Sequence, residues 1–445
     1  MNIFFIFILK NSMRNILFFL LVINFSPLKT EAQIYFPPID PKATWEQQSP
    51  ASLGWCNEQV DSLLNYLGDQ ESKGFILLKD GKIVLEKYYG TFTKDSLWYW
   101  ASAGKTLTSF LIGKAQEEKL LDINESSSNY LGKGWSNCTS EQEAKINIRH
   151  HLTMTTGLND KVTDNHCTTK NCLIYLADAG TRWAYHNAPY TLLETILTNA
   201  TKTTAKSYTD AKVADKIGMK GWWIKSNYDN VYYSNLRSMA RFGLLIQNNA
   251  IWEKDTLLKD TNYFRQMTTS SQSINPSYGY LWWLNGKSSY MVPTLQLKFP
   301  GPYAPNAPQD VISAIGKNGQ IISISKSSGL MYVRMGNQKN QGEVSIPFVD
   351  SIWRKVNALA CSNTTSIERK TMQPKVIFYP NPVSHLLTIV TNEDNFLVEL
   401  RDLSGKLILT KENNTHLDVS EVEKGVYLVN FRSKQFNSSS MVIIE

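Results

Sequence analysis

"WYWASAGKTLTSFLIGKAQEEKLLDIN", residues 98–124, opens on three aromatic residues and turns into a helical pattern with Leu107, Phe110 and Leu111 on one face. Ser102 stands at that junction, and Lys105 follows three residues later. If the helix starts at Ser102, positions i and i+3 share a face, so the amine sits beside the hydroxyl. A helix N-terminus and burial both disfavour a protonated lysine, which lets it take or relay the serine proton. The amide of Ser102, at the helix start, is available to an oxyanion. This is the spacing a Ser-Lys nucleophile requires.

Two other Ser-x-x-Lys matches occur, Ser26 to Lys29 in an apolar leader and Ser323 to Lys326 in a strand pattern, where the two residues point to opposite faces. Only Ser102 opens a helix. Such a serine needs a proton shuttle and an amide that orients the substrate, which a Tyr-x-Asn element supplies. Three lie before residue 361: Tyr185-His186-Asn187, Tyr228-Asp229-Asn230 and Tyr233-Ser234-Asn235. Tyr185 sits in a loop leading straight into a helix and is preferred. The neighbours of Tyr233 read as the cap of a helix starting near Asn235. The last requirement is a cation and a glycine on a strand lining the cleft. Lys317-Asn318-Gly319, just before the β run Gln320 to Ser325, fits. Its rival, Lys79-Asp80-Gly81, is already explained as a type I′ hairpin turn between two alternating runs.

Other catalytic plans find no support. There is no Gly-x-Ser-x-Gly, no His-Glu-x-x-His and no phosphate-binding glycine loop, and no cofactor is expected. His150, His151 and His186 read as packing or loop residues. The aromatic cluster Tyr278 to Trp283 reads as core, and residues 292–310 as a candidate lid.

The chain has 445 residues, 42% of them hydrophobic, enough for two or three domains. Its formal charge of +7 falls to about +5 without the leader, and no basic run suggests nucleic acid. Residues 1–32 hold a basic patch at Lys10 and Arg14 and an apolar run from Ile16 to Phe25 too short to span a bilayer. They read as a secretory signal cut after Ala32, with an uncleaved anchor as the alternative. No later stretch crosses a membrane on this reading. Five cysteines are too few for a disulfide scaffold. Cys167 and Cys172 are close enough for a local loop bridge. A metal site with His166 matches no common zinc spacing, so no metal is expected.

Strand patterns at 74–90, helical patterns between about 105 and 249, and strand patterns again at 319–336 predict an α+β domain over residues 33–361. In it the two chain ends share one antiparallel sheet, flanked by helices and interrupted by a helical subdomain. Residues 362–375 read as a linker, and residues 376–445, with short alternating runs, as a small β-sandwich.

Together these residues resemble the serine β-lactamase and penicillin-binding fold family, in particular its class C branch with its esterases and D-amino-acid peptidases. The likeness extends to "IRHHLTMTTGL" (148–158), "MARFGLLI" (239–246) and "YGYLWWL" (278–284). It implies Ser102 as nucleophile, Lys105 and Tyr185 as proton-handling partners, and Asn187 as a substrate contact. It also implies Lys317 of the Lys317-Asn318-Gly319 element as cleft cation, and the amides of Ser102 and Gln320 as oxyanion hole. Lys-Asn-Gly stands where lactamases of this branch carry Lys-Thr-Gly, and Gly104 replaces the usual hydroxyl residue before the lysine. Both departures point away from β-lactams as substrates and leave acyl-enzyme chemistry intact, so the implied partner is a small-molecule or peptide acyl substrate. The tail resembles the type IX secretion sorting domain of Bacteroidetes through "YPNPV" (379–383), "LRDLSGK" (400–406), "LDVS" (417–420) and "GVYLV" (425–429). That likeness implies the type IX machinery as partner and an extracellular or cell-surface destination by way of the periplasm.

Overall fold

The computed structural model describes residues 34–40, 43–338, 344–361, 376–391, 393–434 and 437–445. The expected leader, residues 1–32, and linker, residues 362–375, lie outside the described residues. Contacts divide the chain into two units, one up to Cys361 and one from Ser362 onward.

In the first unit, strands β1 (Ser72–Lys79) and β2 (Lys82–Tyr88) form the expected hairpin, with Asp80 at φ 48° and Gly81 at φ 84°. Both angles lie in the left-handed region that a type I′ turn requires and that Asp-Gly tolerates. A short strand β3 (Trp98–Tyr99) pairs with β5 (Asp229–Ser234), which pairs in turn with β4 (Gly221–Ser226). The chain returns through β6 (Trp283–Leu284), β7 (Ile312–Gly316), β8 (Gln320–Ser325) and β9 (Leu330–Gly336). The main sheet runs β2-β1-β9-β8-β7-β6, antiparallel throughout. The two ends of the unit meet at β1 and β9, so the sheet closes only once residues separated by the whole helical region have paired.

Alternation along the strands sends side chains to two covered faces. Tyr332 and Ser323 face helix α5 (Ile346–Asn357), whose Trp353 Nε1 donates to Ser323 Oγ at 2.8 Å. Met331 and Ile322 face helix α4 (Leu236–Gln247), which approaches so closely that a Cβ on Gly243 would lie 2.4 Å from Met331 Sδ. Every residue of β7 and β8 is buried, as expected of central strands covered on both sides. Helix α1 (Asn57–Asp69) packs on β1 and α5, helix α2 (Lys105–Glu117) meets α4 through the rings of Phe110 and Phe242, and α3 (Asn187–Thr201) packs beside α2. Asn235 caps α4 by accepting from Ser238 N at 2.8 Å, as its neighbours suggested.

One cysteine pair meets expectation and a second goes beyond it. Cys167 and Cys172 are bonded, and so are Cys56 and Cys361, a pair separated by 305 residues that sequence spacing gave no reason to join. Around that second bridge Cys56 N donates to Leu359 O and Cys361 N to Gly54 O, so the two ends of the unit are clasped by backbone as well as sulfur. Cys138 is the free cysteine among the described residues.

The second unit holds a three-stranded and a four-stranded antiparallel sheet between Val376 and Ile444. Its own core is built on Leu387, Val398, Leu400, Leu417, Val429 and Phe431. No helix among the described residues is long and apolar enough to cross a membrane.

A bridge closing so long a loop removes conformational freedom chiefly from the unfolded chain. Replacing Cys56 and Cys361 together by serine is expected to destabilise the first unit by about 2–5 kcal/mol, read as a lower Tm in the oxidised protein. Serine at Cys167 and Cys172 is expected to move Tm less.

Candidate active site

Ser102 lies in a 3₁₀ turn, Ala101–Gly104, and the α-helix proper begins at Lys105, three residues later than the expected start. The correction tightens the geometry. In a 3₁₀ turn residues i and i+3 eclipse one another, so the lysine is stacked directly over the serine. Lys105 Nζ lies 3.0 Å from Ser102 Oγ. Ala101, immediately before the serine, adopts φ 47°, a conformation alanine takes only under constraint. The constraint is Trp100: its amide donates to Tyr232 O at 2.8 Å, its indole Nε1 donates to Ser234 Oγ at 2.8 Å, and it is fully buried. Gly104 has ordinary contacts around a hypothetical Cβ, 3.7 Å from Tyr232 Cβ, so nothing steric demands glycine there.

Lys105 is buried and reaches a second partner, Asn187 Oδ1, at 2.9 Å. Its ammonium lies 4.1 Å from the ring centroid of Tyr190 and 5.3 Å from that of Tyr185, within cation–π range of both. Burial strengthens each of these contacts, because little water is left to compete for the amine. Tyr185 is buried between Trp183, Tyr278 and Trp283, and stacks on Trp283 at 6.1 Å. The cluster read from the sequence as core therefore walls the tyrosine that faces Lys105. Tyr233 instead pairs with Tyr99 across β5 and β3.

The Lys317-Asn318-Gly319 element forms the turn between β7 and β8, with Asn318 at φ 60° and Gly319 at φ 72°. It is thus as much an Asn-Gly hairpin turn as its rival Asp80-Gly81. Position, not turn chemistry, distinguishes the two. Gly316, the last residue of β7, is pressed against the serine turn: a Cβ there would lie 2.5 Å from Trp100 O, 2.9 Å from Ala103 N and 3.0 Å from Ser102 N. Gln320, expected to lend its amide to the oxyanion, is Gly316's partner across the hairpin. Its side chain is spent on Gly336, donating to its carbonyl at 2.6 Å and accepting from its amide at 3.0 Å. The backbone brought to the Ser102 amide is that of Gly316, one residue before Lys317. The side chain of Lys317 is exposed, and Asn318 Nδ2 donates to Tyr99 Oη at 2.8 Å. Buried Arg334 braces the turn from below by donating to Asn318 O at 2.6 Å and Gly319 O at 3.0 Å. Burial pushes its guanidinium down to about 9.

Sequence reasoning missed Gly316, Arg334, Tyr190 and a polar extension beyond Asn187. Asn187 Nδ2 lies 3.1 Å from His166 Nε2, and His166 Nδ1 lies 2.7 Å from Asp229 Oδ2. Among the described residues no set of His, Cys, Asp and Glu is gathered for a metal, and the cysteines flanking this loop bind each other. The histidines read as packing residues are so placed. His151 lies between Ser127 Oγ at 2.9 Å and Pro189 O at 2.7 Å, and His150 Nδ1 accepts from Asn147 N at 3.2 Å. The remaining serine-lysine match is dispersed: Ser323 serves Trp353 and Ser313, while Lys326 reaches Asn249.

Comparison with known proteins settles the family. The beta-lactamase family profile matches residues 67–345. The chain belongs to the beta-lactamase family. The family is one of serine hydrolases on the β-lactamase/transpeptidase fold, and solved structures share that fold at low identity. A Bacillus anthracis protein described as a 6-aminohexanoate-dimer hydrolase has a TM-score of 0.55 at 15% identity, covering 73% of this chain and 89% of its own. A Bacteroides dorei protein described as a beta-lactamase has a TM-score of 0.55 at 17% identity, covering 69% and 99%. A penicillin-binding protein homologue from Caulobacter crescentus has a TM-score of 0.52 at 12% identity, covering 71% and 99%. Among curated proteins none matches the chain. A second profile, the secretion system C-terminal sorting domain, matches residues 377–445. That domain directs the protein through the type IX system to the cell surface or beyond.

Two expectations follow from the site's surroundings. Burial holds His150, His151 and His186 down to about 4 in the fold, below the ordinary histidine value. The unfolded chain therefore binds more protons between about pH 6.5 and 4, and stability is lost as pH falls through that window; Tm recorded from pH 7 to 4 should fall accordingly. Separately, Gly316→Ala is expected to lower turnover by about 10²-fold, because its methyl would displace the amide of Ser102. Steady-state kinetics on the folded variant check it.

Proposed function

We propose that the protein is a secreted serine hydrolase, akin to the class C branch of its family, that opens an ester, amide or lactam through an acyl-enzyme on Ser102. The observation that carries this reading is the approach of Lys105 Nζ to both Ser102 Oγ and Asn187 Oδ1. The reacting form is that in which the Lys105 ammonium has released one proton to solvent; the Oγ–H proton then moves to the free amine, with Tyr185 beside it, while Oγ attacks the carbonyl carbon. The resulting oxyanion takes a hydrogen bond from Ser102 N and from the backbone at the end of β7. Collapse expels the alcohol or amine, which takes up the proton first removed from Ser102. Water then cleaves the acyl-enzyme, with the same groups handling the proton in reverse. Lys317, exposed at the rim of the turn, is the cation offered to a substrate carboxylate.

The Lys-Asn-Gly element supports esters and linear amides over β-lactams, because Asn318 turns its amide to Tyr99. One structural relative is named for hydrolysing a 6-aminohexanoate dimer, which places linear amides among the substrates to test beside D-alanyl amides and short-chain esters.

Labelling of the secreted protein with a fluorophosphonate is expected to add one adduct, mapped by mass spectrometry to Ser102 and absent in Ser102→Ala. Lys105→Ala is expected to slow hydrolysis of a nitrophenyl ester by about 10²-fold or more. Turnover of a chromogenic cephalosporin faster than of any ester or D-alanyl amide would make the protein a β-lactamase proper. A wild type that no acylating probe modifies would leave a surface binding protein on a hydrolase fold.

A further inference from the structure

We propose that His166 and Asp229 form a positioning pair that fixes the amide of Asn187, and with it the acceptor presented to Lys105. The inference deepens the serine-hydrolase reading and rests on it for its kinetic consequences. It follows from the direction of each hydrogen bond. A lysine ammonium has only protons to give, so Asn187 turns Oδ1 toward Lys105 Nζ, 2.9 Å away. Nδ2 is left on the other side, 3.3 Å from Asn165 Oδ1 and 3.1 Å from His166 Nε2. An amide nitrogen cannot accept, so Nε2 must be the bare nitrogen of the ring. The ring proton is then on Nδ1, the nitrogen that lies 2.7 Å from Asp229 Oδ2, a close contact whose N–H is not aligned on the oxygen.

Only one tautomer and one amide rotamer satisfy the whole chain. Flipping Asn187 would set Nδ2 against the ammonium and Oδ1 against the bare Nε2, two repulsions for no gain. Asp229 holds the tautomer in place. Burial opposes its ionisation, but the contact with His166 and the charge of Lys105 outweigh it, and its carboxyl lies below the usual range. Thr191 Oγ1 donates to its other oxygen at 3.2 Å. The charged and titratable groups around His166 are Asp229 from β5, Asp164 in its own loop, Lys105 from α2 through Asn187, and His186 at the start of α3.

The backbone serves the same placement. His166 N donates to Asp164 Oδ1 at 2.9 Å, Asn165 O accepts from Ala188 N at 2.8 Å, and the next residue, Cys167, is bonded to Cys172. Histidine is thus held against the first turn of α3 by a loop closed on itself. The pair touches neither the nucleophile nor any atom that would react, so its effect passes through Asn187.

The test uses the exported protein without its leader. In ¹⁵N-histidine NMR, with His166 identified by its loss in His166→Gln, the neutral ring is expected to carry its proton on Nδ1; a proton on Nε2 overturns the inference. For an ester substrate, His166→Ala is expected to lower kcat about tenfold, one hydrogen bond's worth of transition-state stabilisation, with KM nearly unchanged. His166→Gln offers a carbonyl to Asn187 Nδ2 and should restore most of that loss, while Asp229→Ala should resemble the alanine variant. Wild-type kcat in His166→Ala, or a glutamine variant no better than alanine, overturns the proposal. Persistence of labelling in Ser102→Ala would instead sink the serine-hydrolase reading, and the tautomer would still decide the role of His166.

Discussion

The approach of one strand end to one turn governs the rest of the structure. Gly316 lies so close to Trp100, Ser102 and Ala103 that even a methyl group would collide with backbone. Backbone contact of this kind is less forgiving than side-chain packing, because neither partner has a rotamer to change. Both sides are therefore anchored independently. The serine turn is tied to β5 through Trp100, and β7 is locked into the sheet by β8 on one side and β6 on the other. The left-handed alanine before Ser102 is tolerable only because these anchors leave the chain no other course.

On that frame the chemistry is assembled from distant segments. The hydroxyl and amine come from one turn, the phenol and the orienting amide from the start of α3, and the braced hairpin from the end of the chain's central sheet. Burial of Lys105 among two tyrosine rings and an amide oxygen makes the amine sensitive to each of them, since a low-polarity environment strengthens every remaining contact. A small rotation of Asn187 therefore matters more here than it would on an exposed surface.

The local parts of this arrangement were legible in the sequence. The Ser102–Lys105 spacing, the Asp80-Gly81 hairpin and the Asn235 cap each follow from periodicity or turn chemistry acting over a few residues, and the pairing of the unit's two ends from the order of strand and helix patterns along the chain. What was not legible depends on registers between distant strands. Nothing in "AIGKNGQ" says that Gly316 is pressed against the serine turn; that placement is made by the pairing of β7 with β8 and by Arg334 beneath the turn. His166 and Asp229 each stood in a motif noticed for another reason, one as a possible metal ligand and one inside a Tyr-x-Asn match. Their meeting at 2.7 Å needs the loop before α3 and strand β5 to be folded together. The aromatic run Tyr278–Trp283 was read correctly as buried, yet burial did not reveal that it encloses Tyr185.

The two disulfides divide the labour of holding this structure in a way that their loop lengths explain. The entropy removed from an unfolded chain grows with the logarithm of the loop closed, so the bridge across 305 residues constrains the whole first unit and the bridge across 5 contributes roughly a third as much. A five-residue loop gains less global stability from its bridge, so the value of Cys167–Cys172 lies also in where it holds the residue next to it. That residue is His166, and its ring is the one contact joining the loop to Asn187 through an imidazole. A protein routed by its sorting domain across the envelope meets oxidising conditions in which both bonds can form. Export chemistry and active-site geometry are then coupled: the same oxidation that clasps the ends of the unit also sets the loop that orients the amide beside Lys105.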